Sequence, residues 1–183
     1  MEGQAVKAAR FAVALLTIAA GAAAFYYFCL LPYRCNRIES LQRAATAAAY
    51  QSAPAPSARI AARQNVDALW PCRGATCRDV GIDMLLAANY HILGQEDEAI
   101  RCYRDALRLD QRPEIYFNLA VSELASGDRN AAREDLVRAA LFNRWILASI
   151  EDGVLRREVM TRLIALYPEE AELIRTIDKV VLP

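Results

Sequence analysis

One stretch of this chain recurs at a fixed offset of 33 residues: Met84–Asp110 (MLLAANYHILGQEDEAIRCYRDALRLD) aligns with Phe117–Asn143 (FNLAVSELASGDRNAAREDLVRAALFN). Leu86 matches Leu119, Ala87 matches Ala120, Gly94 matches Gly127, Ala99 matches Ala132 and Ala106 matches Ala139. A period of this size predicts a stack of helical pairs, each burying an apolar stripe that it cannot cover alone.

The positions within each unit fit two antiparallel helices. Met84–Leu93 and Tyr116–Ser126 read as the first helices, and Gly94 and Gly127 end them, because glycine enters the left-handed cap conformation freely. Asp128 is placed to cap the returning helix. Ala99 and Ala106 lie seven apart on one face, as do Ala132 and Ala139, and are small enough for a neighbouring helix to approach closely. Tyr103, Leu107 and Leu109, then Leu136 and Phe142, are expected to fill the space between layers. Pro113 falls at a first-turn position, where its missing N–H is tolerated.

The segment Leu86-Ala87, Tyr90, Gly94, Ala99, Tyr103, Ala106-Leu107, Leu109-Asp110 carries the pattern L-A-x-x-Y-x-x-x-G-x-x-x-x-A-x-x-x-Y-x-x-A-L-x-L-D. It resembles the tetratricopeptide repeat family. The second copy departs from the pattern, with Glu123 at the usual tyrosine and Leu136 at the second aromatic. The resemblance covers about Val80 to Asn143 (residues 79–143 as two repeats) and implies an all-α fold, a short α-solenoid that binds other proteins. It further implies a groove lined by the first helices, here Met84, Ala88, His91 and Ile92, then Phe117, Val121 and Leu124. That lining is mostly apolar and suits an amphipathic helix as occupant, whether a partner's or the chain's own terminal helix. Residues 144–183 are expected to cap the stack as a degenerate third repeat and closing helix. Arg144–Asp152 would be a short helix carrying Trp145, Ile146 and Ile150, and Leu155–Tyr167 a second with Val159, Leu163, Ile164 and Leu166; a third would open at Pro168. Ala61–Leu69 is placed to cap the other end.

Apolar residues, 55% of the chain, concentrate at the amino terminus. Phe11–Pro32 has no charge, follows Lys7 and Arg10, and precedes Arg34 and Arg37. With residues 1–10 as a tail, residues 11–33 read as a single transmembrane helix, since about 20 apolar residues span a bilayer. A cleaved signal peptide ending near Ala22-Ala23-Ala24 is the competing reading, weakened by the apolar run continuing to Leu31. Thr17 and Gly21 are four apart, as are Ala20 and Ala24; such small residues permit close packing on a neighbouring transmembrane helix, or are alanine-rich filler. Residues 34–78 form a basic linker, seven Arg against Glu39 and Asp67, with Ile38–Tyr50 as a helix and Ser52–Ala58 (SAPAPSA) as an extended spacer. Its arginines suit anionic headgroups or water equally. Beyond it, 13 basic residues face 19 acidic ones.

Equal totals of 22 basic and 22 acidic residues argue against a nucleic-acid binder. Cys72 and Cys77 form a C-x4-C pair that fits a disulfide, free thiols or, least well, half of a metal site, for which no second ligand pair is present. A disulfide would favour an oxidising compartment such as the periplasm. No nucleophile, metal or phosphate-loop motif is present, only Lys7 and Lys179 are lysines, and neither a metal nor a cofactor is expected. His91, the one histidine, has no sequence-adjacent nucleophile or carboxylate partner to work with, so the chain is not expected to be an enzyme. Arg101, Arg104, Arg108 and Arg112 form a row whose charges pair locally with Asp97, Glu98 and Asp105 on a solvated face. Alanine and arginine content fits a GC-rich bacterial source. The sequence therefore points to an anchored interaction module in a bacterial inner membrane, its soluble part periplasmic. It would scaffold or recruit protein partners of an envelope complex; the alternatives are a dedicated subunit of one large membrane assembly and, last, a thiol-disulfide protein.

Overall fold

The computed structural model describes residues 2–31, 33, 36–37, 56–73 and 79–181. The expected helix Ile38–Tyr50 and Cys77 lie outside these residues. Every described element is helical: α1 (Glu2–Phe25), α2 (Pro56–Leu69), α3 (Val80–Ile92), α4 (Glu96–Leu107), α5 (Pro113–Ser126), α6 (Arg129–Phe142), α7 (Gly153–Leu166) and α8 (Ala171–Val181). A π-helical turn, Tyr26–Leu30, extends α1, and 3-10 turns occupy Trp70–Cys72, Arg144–Ser149 and Pro168–Glu170.

The helices form where local chemistry starts and stops them. Asp79 accepts from the Gly81 amide at 2.8 Å and Asp128 from the Ala131 amide at 3.0 Å, each satisfying a donor that the first turn leaves open. Asp152 does the same for Val154 and Leu155, at 2.8 and 3.0 Å. Its other oxygen meets Arg129 at 2.8 Å; that guanidinium, then the capped amides, hold the Asp152 carboxyl down at about 2. Gly94 (φ 73°) and Gly127 (φ 92°) are the positive-φ residues among those described, and each follows a first helix. Pro56 opens α2, so the extended spacer expected through Ala58 ends sooner: proline's fixed φ suits a first turn as well as a spacer.

Successive helices pack as pairs, α3 on α4 and α5 on α6, with α4 against α5, α2 covering α3 and α7 covering α6. Two apolar clusters result. The first gathers Val66 and Leu69 of α2 with Leu85, Leu86, Cys102, Tyr103 and Ala106, and reaches Ile115 and Leu119 of α5. The second takes Ala120 from the same helix and adds Leu136, Ala140, Leu147, Ile150, Leu155, Val159 and Leu163, closing with Ile174 and Ile177 of α8. The four repeated alanines, Ala99, Ala106, Ala132 and Ala139, are fully buried, which brings the paired backbones close. Leu31, just past the π-helical turn, is buried in the first cluster.

Several apolar residues expected inside are outside. Tyr103 and Leu136 fill the layers and Leu107 packs partly against them, but Leu109 and Phe142 are exposed, each lying beyond or at the last turn of its helix. Phe142 stacks instead on Tyr116, 6.1 Å between ring centres. The short helix expected over Arg144–Asp152 is of the 3-10 type and ends at Ser149; it turns Trp145 to solvent while burying Leu147. Leu166, at the end of α7, is exposed too; Pro168 opens a 3-10 turn, and α8 starts three residues later.

Because a Cβ added at Gly127 would touch nothing within 4 Å, Gly127→Ala tests backbone strain alone. It should destabilise the domain by about 1 kcal/mol, whereas Gly153→Ala, at a helical φ, should stay within about 0.5 kcal/mol of wild type in urea denaturation followed by circular dichroism.

Candidate partner-binding face

The first helices of the two units, α3 and α5, lie side by side. Met84, Ala88 and His91 on α3, and Phe117 and Val121 on α5, are all half-buried, while Leu124 is exposed. Met84, Ala88 and His91 follow one another at helical spacing along α3, and Phe117, Val121 and Leu124 do the same along α5. Ile92, also expected there, is 3% exposed and belongs to the interior. Met84 leans on the first cluster and Phe117 on the second, so both are partly structural. Arg112 Nη2 approaches the Met84 sulfur at 3.9 Å and pairs with Asp110 at 2.7 Å, placing a cation at the rim. The terminal helix packs on Arg144–Ser149 and α7, at the far end of the stack from α3.

His91 does have a carboxylate partner, contrary to the sequence expectation. Chain reversal at Gly94 brings Glu96 back, and its Oε2 lies 2.8 Å from Nδ1. Ser122 Oγ of α5 approaches the same nitrogen at 3.5 Å. A serine-histidine-acid relay requires acid and serine on opposite ring nitrogens. Here both meet Nδ1, so the contact ties α3 to α5 and the α3–α4 turn.

Polar contacts hold the layers in register. Arg73, following α2, bonds Asp83 of α3 at 2.9 Å, pairs with Asp105 of α4, and sits 5.3 Å over the Trp70 ring. Asn65 of α2 donates to Asn89 of α3 at 3.1 Å. The arginine row is only partly the expected solvated face. Arg101 and Arg108 pair locally with Glu98 and Asp105, but Arg104 reaches across to buried Glu123 of α5 at 3.0 Å. Glu123 was visible in the sequence as a carboxyl at an aromatic position; Asp83, Asp135 and Arg73 carried no such signal. Elsewhere a cleft of about 760 Å³ opens between α6 and α7, with Arg133, Arg157 and Arg162 on its walls, and none of the expected groove residues lines it. Among the described residues, no three His, Cys, Asp or Glu side chains gather as metal ligands.

Cys72 is disulfide-bonded, and its partner lies outside the described residues; Cys29 and Cys102 are free. Burial pushes the Cys102 thiol up to about 11 despite nearby Arg73. On α1, Thr17 bonds the Val13 carbonyl at 2.9 Å; Gly21 and Ala24 share its face, and the helix is exposed from Phe11 to Leu30. This stretch, 20 residues with mean hydropathy 2.0, is long and apolar enough to cross a membrane, and its composition suits an anchor or a signal sequence.

In maleimide labelling read by mass spectrometry, Cys102 should stay unmodified until the domain unfolds, and Cys72 should react only after reduction. Labelling of Cys102 in the native state would contradict its burial.

Comparison with known families matches residues 84–113 to the family described as Tetratricopeptide repeat, which covers α3, α4 and the turn into α5. No curated protein and no solved structure matches the chain. Residues 84–113 are thus similar to a repeat whose general use is binding other proteins, within an all-α stack of paired helices.

Proposed function

We propose that this chain is a membrane-anchored protein-interaction module that scaffolds or recruits partners at a bacterial cell envelope, with its helical stack in the periplasm. The observation that supports this reading is the half-burial of Met84, Ala88 and Val121 and the exposure of Leu124 along α3 and α5, with α8 packed elsewhere, which we read as a shallow apolar strip. Such a strip takes the apolar side of an amphipathic helix, with Met84, Phe117, Val121 and Leu124 as anchors and His91 at the edge. The uncharged helix Phe11–Leu30 supports anchoring, and the oxidised Cys72, for which Cys77 is the proposed partner, supports an oxidising compartment.

A second reading, a dedicated structural subunit of one large membrane assembly, draws on the exposed face of Thr17, Gly21 and Ala24. Small residues there let another transmembrane helix approach closely.

Crosslinking and pulldown from native membranes tests the first reading. Leu124→Glu and Phe117→Glu should each lower partner capture by about tenfold or more, the loss expected of a buried anchor. Trp145→Glu, exposed and away from the strip, should capture as wild type does. Because Leu124 is exposed, its variant should keep the wild-type circular dichroism signal. Undiminished capture by Leu124→Glu and Phe117→Glu would remove the strip as the binding face. Constant stoichiometry that survives in both but is lost in Gly21→Leu would favour the subunit reading.

A further inference from the structure

Glu123 sits on α5 where the preceding unit carries Tyr90, and it is only 1% exposed. Its Oε1 accepts from Arg104 at 3.0 Å. Its Oε2 is enclosed, and no conventional donor among the described residues reaches it. What the Glu123 carboxyl does meet is Asp135 of α6, itself 5% exposed and within hydrogen-bonding contact of it. Ionised carboxylates only accept, so a hydrogen bond between two carboxyl groups requires a proton on one of them. Two bare carboxylates side by side in a low-dielectric interior would repel instead.

Two guanidiniums offset the charge of the pair, but both lie toward the surface. Arg104 from α4 and Arg138 from α6, which pairs with Asp135, are each 57% exposed, so water screens both guanidiniums. A polar cleft of about 500 Å³ reaches Glu123 from solvent; α4 gives it Asp97, Glu98 and Arg101, the end of α5 gives it Ser126, and the turn into α6 gives it Asp128. On the α3 side His91 lies 3.5 Å from Ser122, the residue before Glu123. Asp97, Glu98 and Asp128 are matched by Arg101, Arg104 and Arg138, so the charges around the pair balance and it is burial that favours retaining a proton.

We propose that Glu123 and Asp135 are a proton-sharing carboxyl pair that couples the docking of α5 on α6 to pH, tight while one proton is held between them and looser once it leaves. Burial first, then the Asp135 charge, push the Glu123 carboxyl up to about 7, with Arg104 opposing. In the unfolded chain it ionises near 4.5, so between about 4.5 and about 7 the folded state holds a proton that the unfolded state has released. Folding stability therefore falls as pH rises through that window and levels off above it.

The test uses the full chain in detergent micelles, in a His91→Asn background so that the single imidazole does not contribute. Urea unfolding of Glu123→Gln is compared with that of the parent between about pH 4.5 and pH 8. The parent's unfolding constant should rise by on the order of a hundredfold relative to the variant's, since Gln donates to Asp135 without a titrating proton. Parallel profiles would overturn the proposal. Carbon-13 carboxyl resonances of the unmutated chain give a second measurement that does not depend on the variant folding. A Glu123 midpoint near neutrality supports the pair; a midpoint in the ordinary carboxylate range overturns it.

Discussion

Everything in the helical stack depends on α5 serving two interiors at once. Ile115 and Leu119 close the first apolar cluster, and one residue later Ala120 opens the second, with Phe117 leaning on it. A helical pair alone would leave one stripe wet, at roughly 25 cal/mol for each Å² of apolar surface. Sharing α5 removes that exposure for both pairs, while α2 and α7 cover the outer sides. Burial of the four repeated alanines is what allows the spacing: with no side chain beyond Cβ, they bring the paired helices into direct backbone proximity.

Apolar burial sets the stack, but the polar contacts fix which helix meets which. Arg73 joins α3 and α4 to the segment following α2, and Asn65 with Asn89 adds a second tie between α2 and α3. Asp83 and Asn89 are both buried, so these bonds are made away from water. Arg104 with Glu123 does the equivalent work between units. The position that carries the Tyr90 ring in the first unit carries a carboxyl group, Glu123, in the second, and this contact between the units is polar.

The pairing of helices, their glycine stops and the Asp128 cap were legible because they rest on period and on single-residue backbone chemistry. Exposure of Leu109, Phe142, Trp145 and Leu166 was not, because each lies at a helix end or in a 3-10 turn, where periodicity no longer says which way a side chain faces. The partners of His91, Arg73 and Arg104 were hidden for a different reason. Long polar side chains find them across turns and between layers, at separations that no local spacing encodes. Of the proposed face, the helical location of its residues was legible, but not the interior position of Ile92 or the double duty of Met84 and Phe117.

Burial of Leu31 bears on how such a molecule would work if the apolar helix lies in a bilayer. The residue immediately after the Tyr26–Leu30 turn is seated inside the folded domain, alongside Val66 and Leu69. Its place in the first apolar cluster makes Leu31 the point where the apolar helix and the stack meet, at the end that carries α2.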